Sequence, residues 1–186
     1  MSLPEKYTPV AIVLHWMIAL LIIANVGLGL SIDHVADENV RFVIDTHKSI
    51  GITVLGLAIM RLLWRATHRP PPLPAHYPQW EKLSAHLAHA ILYLLIFALP
   101  ISGWMHDSAW KDADTHPMTL FGLAPWPRIA WIMHVEPVAK EALHDTFGWV
   151  HKRFDCVLYL LFTLHIAGAL KHQFFDKEPE LQRMLP

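Results

Sequence analysis

The sequence predicts an all-α protein, an integral membrane four-helix bundle, on three observations. First, the 186 residues are 54% hydrophobic and only 17% charged, with a mean hydropathy of +0.32, whereas a soluble domain is about a quarter charged. Second, residues 10–32 and 83–105 are each 23 residues without a formal charge, long enough to cross about 30 Å of hydrocarbon. Third, the C-terminal stretch 147–175 carries His151 and His165 fourteen residues apart. On a helix that spacing falls about 40° short of four turns and climbs about 21 Å, so both rings share one face at two depths.

The elements follow in order, with spans at about 10–32, 46–65, 83–105 and 147–171 in a single transmembrane domain covering 1–186. The first span has His15 and Trp16 near its start and is too long for a signal-peptide core, so it is expected to be retained. The connection 33–45 is acidic, with Asp33, Asp37, Glu38 and Asp45 against Arg41. His47 opens the second span, whose uncharged part, 49–60, is too short to cross unless Arg61 snorkels or is paired. The link 67–78, THRPPPLPAHYP, has too many prolines for a helix. The third span holds His86 and His89 early and Pro100 late, where a kink is expected. A long connection, 106–145, carries Trp110, Trp126 and Trp131. In the last span, 156–170 is apolar except for Thr163 and His165, and the tail is polar.

Four spans bring both termini to one side. Arg65, Arg69 and Lys82 in the link between spans two and three, against Arg41 alone between spans one and two, place the termini in the cytoplasm. Trp16, Trp64 and Trp80 would then mark the inner interface, Trp104 and Trp149 the outer. A net charge of −1 gives no reason to expect nucleic acid as a partner; the expected surroundings are membrane lipid. The single cysteine, Cys156, allows no internal disulfide and no CxxCH attachment motif, so a haem would be held without covalent links.

The topology sorts the histidines by depth. His47 and His151 fall at the outer end, His15 and His165 at the inner end. A b-type haem takes two axial imidazoles, so two such pairs at two depths predict two haems b, with His15, His47, His151 and His165 as iron ligands. Filled axial positions imply electron transfer rather than oxygen binding. A lone histidine in a span is more often packed or hydrogen-bonded than a ligand; four that agree in depth, two of them on one face, favour ligation. His89 lies at the depth of the inner pair and could replace His15 or His165. Arg61, fourteen residues after His47, either pairs with haem propionates or points at lipid headgroups, and Arg65 is the alternative clamp. His172, seven residues past His165, either meets a quinone carbonyl or is an ordinary interfacial histidine. The remaining histidines of the links, His34, His68, His76, His106, His116, His134 and His144, read as solvated.

The blocks LHW at 14–16, HKSIG at 47–51, RLLWR at 61–65, AHAILYLLIFALPISG at 88–103 and LHIAGALKHQFFDKE at 164–178 resemble the bacterial cytochrome b561 family, along nearly the whole chain. The resemblance implies a four-helix bundle of the bacterial inner membrane with two haems b, ligands matching His15, His47, His151 and His165, and exchange with quinone. One member is a superoxide oxidase that passes electrons to ubiquinone, and there the histidine matching His172 is implicated at the quinone. The resemblance therefore implies an oxidoreductase carrying electrons from a small outer donor, with superoxide the candidate, to the quinone pool. The alternative is a cytochrome b subunit that docks a larger dehydrogenase or hydrogenase. Lys48, Lys152 and Arg153 beside the outer ligands would form a local positive patch to draw in an anion, against otherwise acidic links.

Overall fold

Each long helix begins where the chain supplies a start signal. In the computed structural model, which describes residues 6–74 and 76–185, α1 (Pro9–Ser31) opens with proline in its first turn and the Thr8 hydroxyl accepting from the Ala11 amide at 3.4 Å. Helix α2 (Asp37–Thr67) carries Asp37 and Glu38 in its first turn, where negative charge offsets the exposed amide ends. Helix α3 (Gln79–Ser108) starts directly after Pro78, and α5 (Pro137–Phe174) again has proline at its start. Helix α5 ends on Lys171 and His172, the sign that suits a helix C-terminus. Between α3 and α5 lie a short hairpin, β1 (Thr119–Leu120) with β2 (Ala124–Pro125), and one turn of helix, α4 (Ala130–Met133).

All four long helices are long and apolar enough to cross a membrane, and each exposes several large apolar side chains, such as Leu20, Leu63, Leu94 and Leu160. Helix α1 matches its expected span to within one residue, whereas α2, α3 and α5 overrun theirs at both ends. The acidic link expected at 33–45 is mostly the first turns of α2, and the connection expected at 106–145 shrinks to 109–136 because α3 and α5 continue past the apolar run. Hydropathy marks the membrane, whereas a helix continues until its backbone finds a stop. Pro100 sits inside α3, which continues through it.

The extensions of α3 and α5 revise two of the histidines. His106 and His144 are not free in a link: their rings stack at 3.9 Å, and each Nδ1 donates to the other residue's carbonyl, at 2.9 and 3.1 Å.

The bundle is two helix pairs rather than an even ring of four. Helices α1 and α2 pack through Ile18, Ile50 and Val54, and α3 and α5 pack through Leu95, Leu99 and Leu158. Helices α2 and α3 also touch, but α5 keeps its distance from α1 and α2 along most of its length. The gap between the pairs is where the site lies.

The first and last described segments meet at one end, here the near end. The Tyr7 amide donates to the Arg183 carbonyl at 3.1 Å, and Trp16 Nε1 donates to the Met184 carbonyl at 2.6 Å. The Arg183 guanidinium also donates to the Pro72 carbonyl, so the C-terminal turn ties the first helix to the proline link. The opposite, far end is covered by the 109–136 connection.

Candidate functional site: two histidine pairs across the helix gap

Helix α5 faces the other pair through two histidines. At the far end the rings of His47 on α2 and His151 on α5 stand 6.2 Å apart between centroids, at 81°. At the near end those of His15 on α1 and His165 on α5 stand 6.3 Å apart, at 71°. An imidazole nitrogen lies about 2 Å from a bound metal. Two rings on opposite sides of one ion would thus have centroids roughly 6 Å apart. Among the described residues no cluster of three or more metal-binding side chains exists. A metal held by either pair would need its other donors from a cofactor, and a porphyrin brings four. On that test the residues fit a haem with two axial histidines.

The far pair is held in a defined protonation form. His47 Nδ1 lies 3.0 Å from the Asn25 carbonyl, which can only accept, so Nδ1 carries the proton and Nε2 keeps its lone pair. His151 Nδ1 lies 2.9 Å from the Ser102 hydroxyl, which itself donates to the Leu99 carbonyl at 3.0 Å. The hydroxyl proton is thus engaged, and His151 Nδ1 must be the donor. Orienting one ring nitrogen so that the other is free is how histidine ligands are commonly prepared. Glycines leave room for both rings: a Cβ on Gly29 would meet His47 Cε1 at 3.3 Å, and one on Gly103 would meet His151 Cε1 at 3.1 Å. The pair lines a small cleft of about 80 Å³ together with apolar Ile22, Val26, Ile96 and Leu99, Lys48 and the single carboxylate Asp155.

The near pair has a third ring beside it. His89 of α3 stands 5.2 Å from His165, with its own Nδ1 at 2.7 Å from the Ala85 carbonyl. Arg61 Nε donates to the Tyr93 hydroxyl at 2.9 Å, and Arg61 and Arg65 both lie over the Tyr93 ring, at 5.6 and 5.3 Å from its centroid. Tyr93 is thirty-two residues from Arg61, and no periodicity points to it.

His172 lies past the near pair, with Nδ1 at 2.7 Å from Asp176 Oδ2 and its ring stacked at 5.0 Å on Tyr77 of the proline link. The Lys171 ammonium bonds the same Asp176 oxygen and also Glu81, which holds the Asp176 carboxyl below the usual carboxylate range. Burial pushes the Tyr77 phenol up, so it stays neutral.

Lys48 is withdrawn from the expected positive patch. Its ammonium pairs with Asp45 at 2.8 Å and Asp107 at 3.0 Å, and only 12% of its side chain is exposed. Asp107 is held from its other side by Arg128 Nε at 2.8 Å. The positive patch is thereby reduced to Lys152 and Arg153, both exposed, with Arg153 lying over the Trp149 ring. Asp107 and Arg128 were invisible to spacing because their partners come from separate elements; the one signal was an isolated acid directly after the last apolar span residues.

A four-helix membrane bundle whose inward-facing imidazoles stand in pairs defines a class, the membrane electron-transfer cytochromes. Residues 6–186 match the prokaryotic cytochrome b561 family, and the chain belongs to it. The chain is 33% identical over 185 residues to cytochrome b561 homolog 2 of Escherichia coli (strain K12), covering 98% of this chain and 92% of that one. It is 29% identical over 191 residues to the probable superoxide oxidase CybB of Yersinia pestis, covering 98% and 97%. Cytochrome b561 homolog 1 of Escherichia coli (strain K12) is 25% identical over 185 residues, covering 98% of each. The protein is thus a multi-pass electron-transfer protein of the bacterial inner membrane, of a family that carries haem b.

Proposed function

We propose that the protein moves electrons across the membrane, from a small donor at the far end to quinone at the near end, through two haems b. His47 with His151 would hold one haem, and His15 with His165 the other. The observation that carries this is the equal separation of the two pairs, 6.2 and 6.3 Å, at two depths of one gap. His89 is the weaker partner for His165, because rings 5.2 Å apart in edge contact leave too little room for an ion between them. The far end is the periplasmic one, by the excess of Arg and Lys in the link of the near end.

Haem, when bound, would supply reversible one-electron chemistry, and an iron held by two imidazoles would take no further ligand. The protein's own residues do the rest. Asn25 and Ser102 hold the far imidazoles with Nε2 free. Arg61, steadied by Tyr93, supplies a guanidinium beside the near pair for the propionates. Asp176 accepts from His172 Nδ1, and in the protonated ring Nε2–H would donate to a quinone carbonyl. Reduction of one quinone to quinol takes two electrons and two protons. Superoxide supports this as donor: two superoxide ions would give up one electron each and leave as two molecules of oxygen. A relative named as a probable superoxide oxidase favours this donor, and outer-sphere transfer at a porphyrin edge needs no binding pocket. Lys152 and Arg153 are the cations left to attract the anion, over a screening length of about 8 Å at physiological salt.

The test is purified protein in lipid. Two haems per chain with low-spin spectra, and reduction by a superoxide pulse followed by reoxidation by ubiquinone, are expected. His172→Ala should keep both haems and slow the quinone step alone. A ratio of one haem per chain overturns the two-haem reading. No superoxide-dependent reduction at any salt removes that donor. A Lys152→Glu variant should slow the superoxide step by about two- to threefold at low salt and less at high salt.

A further inference from the structure

The 109–136 connection carries an apolar surface that the electron path does not use. Residues 117–127 run PMTLFGLAPWP, eleven residues with no charge. They form the β1–β2 hairpin, whose tip exposes Leu123 at 89% and Phe121 at 54%. Phe121 has a φ of 52°, ahead of Gly122 at 71°. A bulky side chain is uncommon in that left-handed region, where glycine or asparagine would turn at lower cost.

The attachment point gives this surface its surroundings. The Phe121 amide donates to the Ser49 hydroxyl at 2.9 Å, and the same hydroxyl lies 3.3 Å from the Thr119 carbonyl. Ser49 is two residues beyond His47, about 200° round the helix and thus on the opposite side of α2 from the histidine gap. On that same side, at helical spacing, lie Gly56, Met60 and Leu63; Met60 is 56% and Leu63 64% exposed. That is the face α2 turns to lipid. Ser49 is fully covered although it lies on this face, because the hairpin covers it. It is also the first residue of the uncharged stretch 49–60, which sets it at the boundary between headgroups and acyl chains. Trp131, 58% exposed on α4, is the residue type that concentrates at that level.

We propose that the hairpin lies in the far leaflet's headgroup–acyl boundary, with Phe121 and Leu123 in contact with lipid, as a membrane-bound strap on α2. Its outer surface continues the lipid-facing side of α2, and it has no charge for a water-soluble partner to pair with. The strap bears on the electron path at its base. Met118, one residue before β1, is 4% exposed and lines the far cleft with His47 and His151. The bilayer thus helps hold the cover of that cleft in place.

The experiment uses the full-length protein in phosphatidylcholine nanodiscs, with Cys156→Ser to remove the one native thiol. Leu123→Cys is labelled with a polarity-sensitive fluorophore, and Lys111→Cys, exposed on the same connection, serves as the solvent control. Leu123 is so exposed that the label should leave the fold intact, which haem content and circular dichroism would verify. The expected result is blue-shifted emission at position 123, quenched at least threefold more by lipids nitroxide-labelled near the headgroup than at position 111. Iodide in the buffer should quench in the opposite order. Equal iodide quenching at both positions, with no effect of nitroxide lipid at 123, overturns the proposal and leaves the hairpin facing water or a soluble partner.

Discussion

At the far end, His47 and His151 each give their Nδ1 proton to a fixed acceptor, sit against a glycine and line an apolar cleft. At the near end, His15 and His165 stand at the same separation, but the ring beside His165 is a third histidine and the neighbouring charges are two arginines on a tyrosine. The ion pairs differ in the same sense. Asp107 sits between Lys48 and Arg128 with side chains of all three at most 12% exposed, while the near-end Lys171 side chain is 48% exposed. The far-end ion cluster is thus closed to solvent, and the near-end Lys171 pair is open to it. In the proposed function, the open near-end pair suits exchange of a large quinone, and the closed far-end cluster suits a donor that need only approach.

That contrast can be broken most forcefully at the ligands. His47→Ala or His151→Ala should cost one haem per chain, with the near-end spectrum unchanged; His15→Ala or His165→Ala should do the reverse. Loss of both haems from any single variant would show the two ends to be one cooperative site. Next in size is the buried ion cluster. Asp107→Asn leaves Lys48 without its buried partner and Arg128 with a neutral one, and should lower stability by about 3–5 kcal/mol. Lys171→Ala, at a solvent-exposed pair, should cost at most about 1 kcal/mol. Similar losses in thermal melts of the two variants would refute the difference in burial.

A smaller effect sharpens the packing side of the comparison. Gly103→Ala places a methyl group 3.1 Å from His151 Cε1, whereas Gly27→Ala on α1 meets nothing within 4 Å. Gly103→Ala should weaken retention of the far haem by about tenfold, the scale of losing a supporting contact to a ligand, and Gly27→Ala should leave it intact. The smallest expected effect is at His89. His89→Ala should retain both haems and shift only the near-end spectrum. If it removes the near haem while His15→Ala does not, the near pair is His89 with His165.

How much of this could be read without coordinates differs between residues. The four membrane helices, the family blocks and the shared face of His151 and His165 rest on local periodicity, which any single helix obeys. The depth grouping of His15, His47, His151 and His165 needed only a rise per residue and alternating directions. By contrast, the ring order around His165 was left open between His15 and His89, because depth carries no information on how helices rotate about their axes. Sequence alone groups Lys48 with Lys152 and Arg153 in one positive patch for a similar reason: its buried acid partner Asp107 is fifty-nine residues away on another helix.

The sequence by itself therefore determined that the chain crosses the membrane four times and carries two tiers of histidine, since hydropathy and helical rise act along one segment at a time. The tertiary structure alone decided that α5 stands off from α1 and α2, and that the Asn25 carbonyl and the Ser102 hydroxyl orient the far rings. It alone also folded 117–127 back onto the lipid-facing side of α2. Those outcomes depend on side chains from distant segments filling the same space, and no one-dimensional period contains that information.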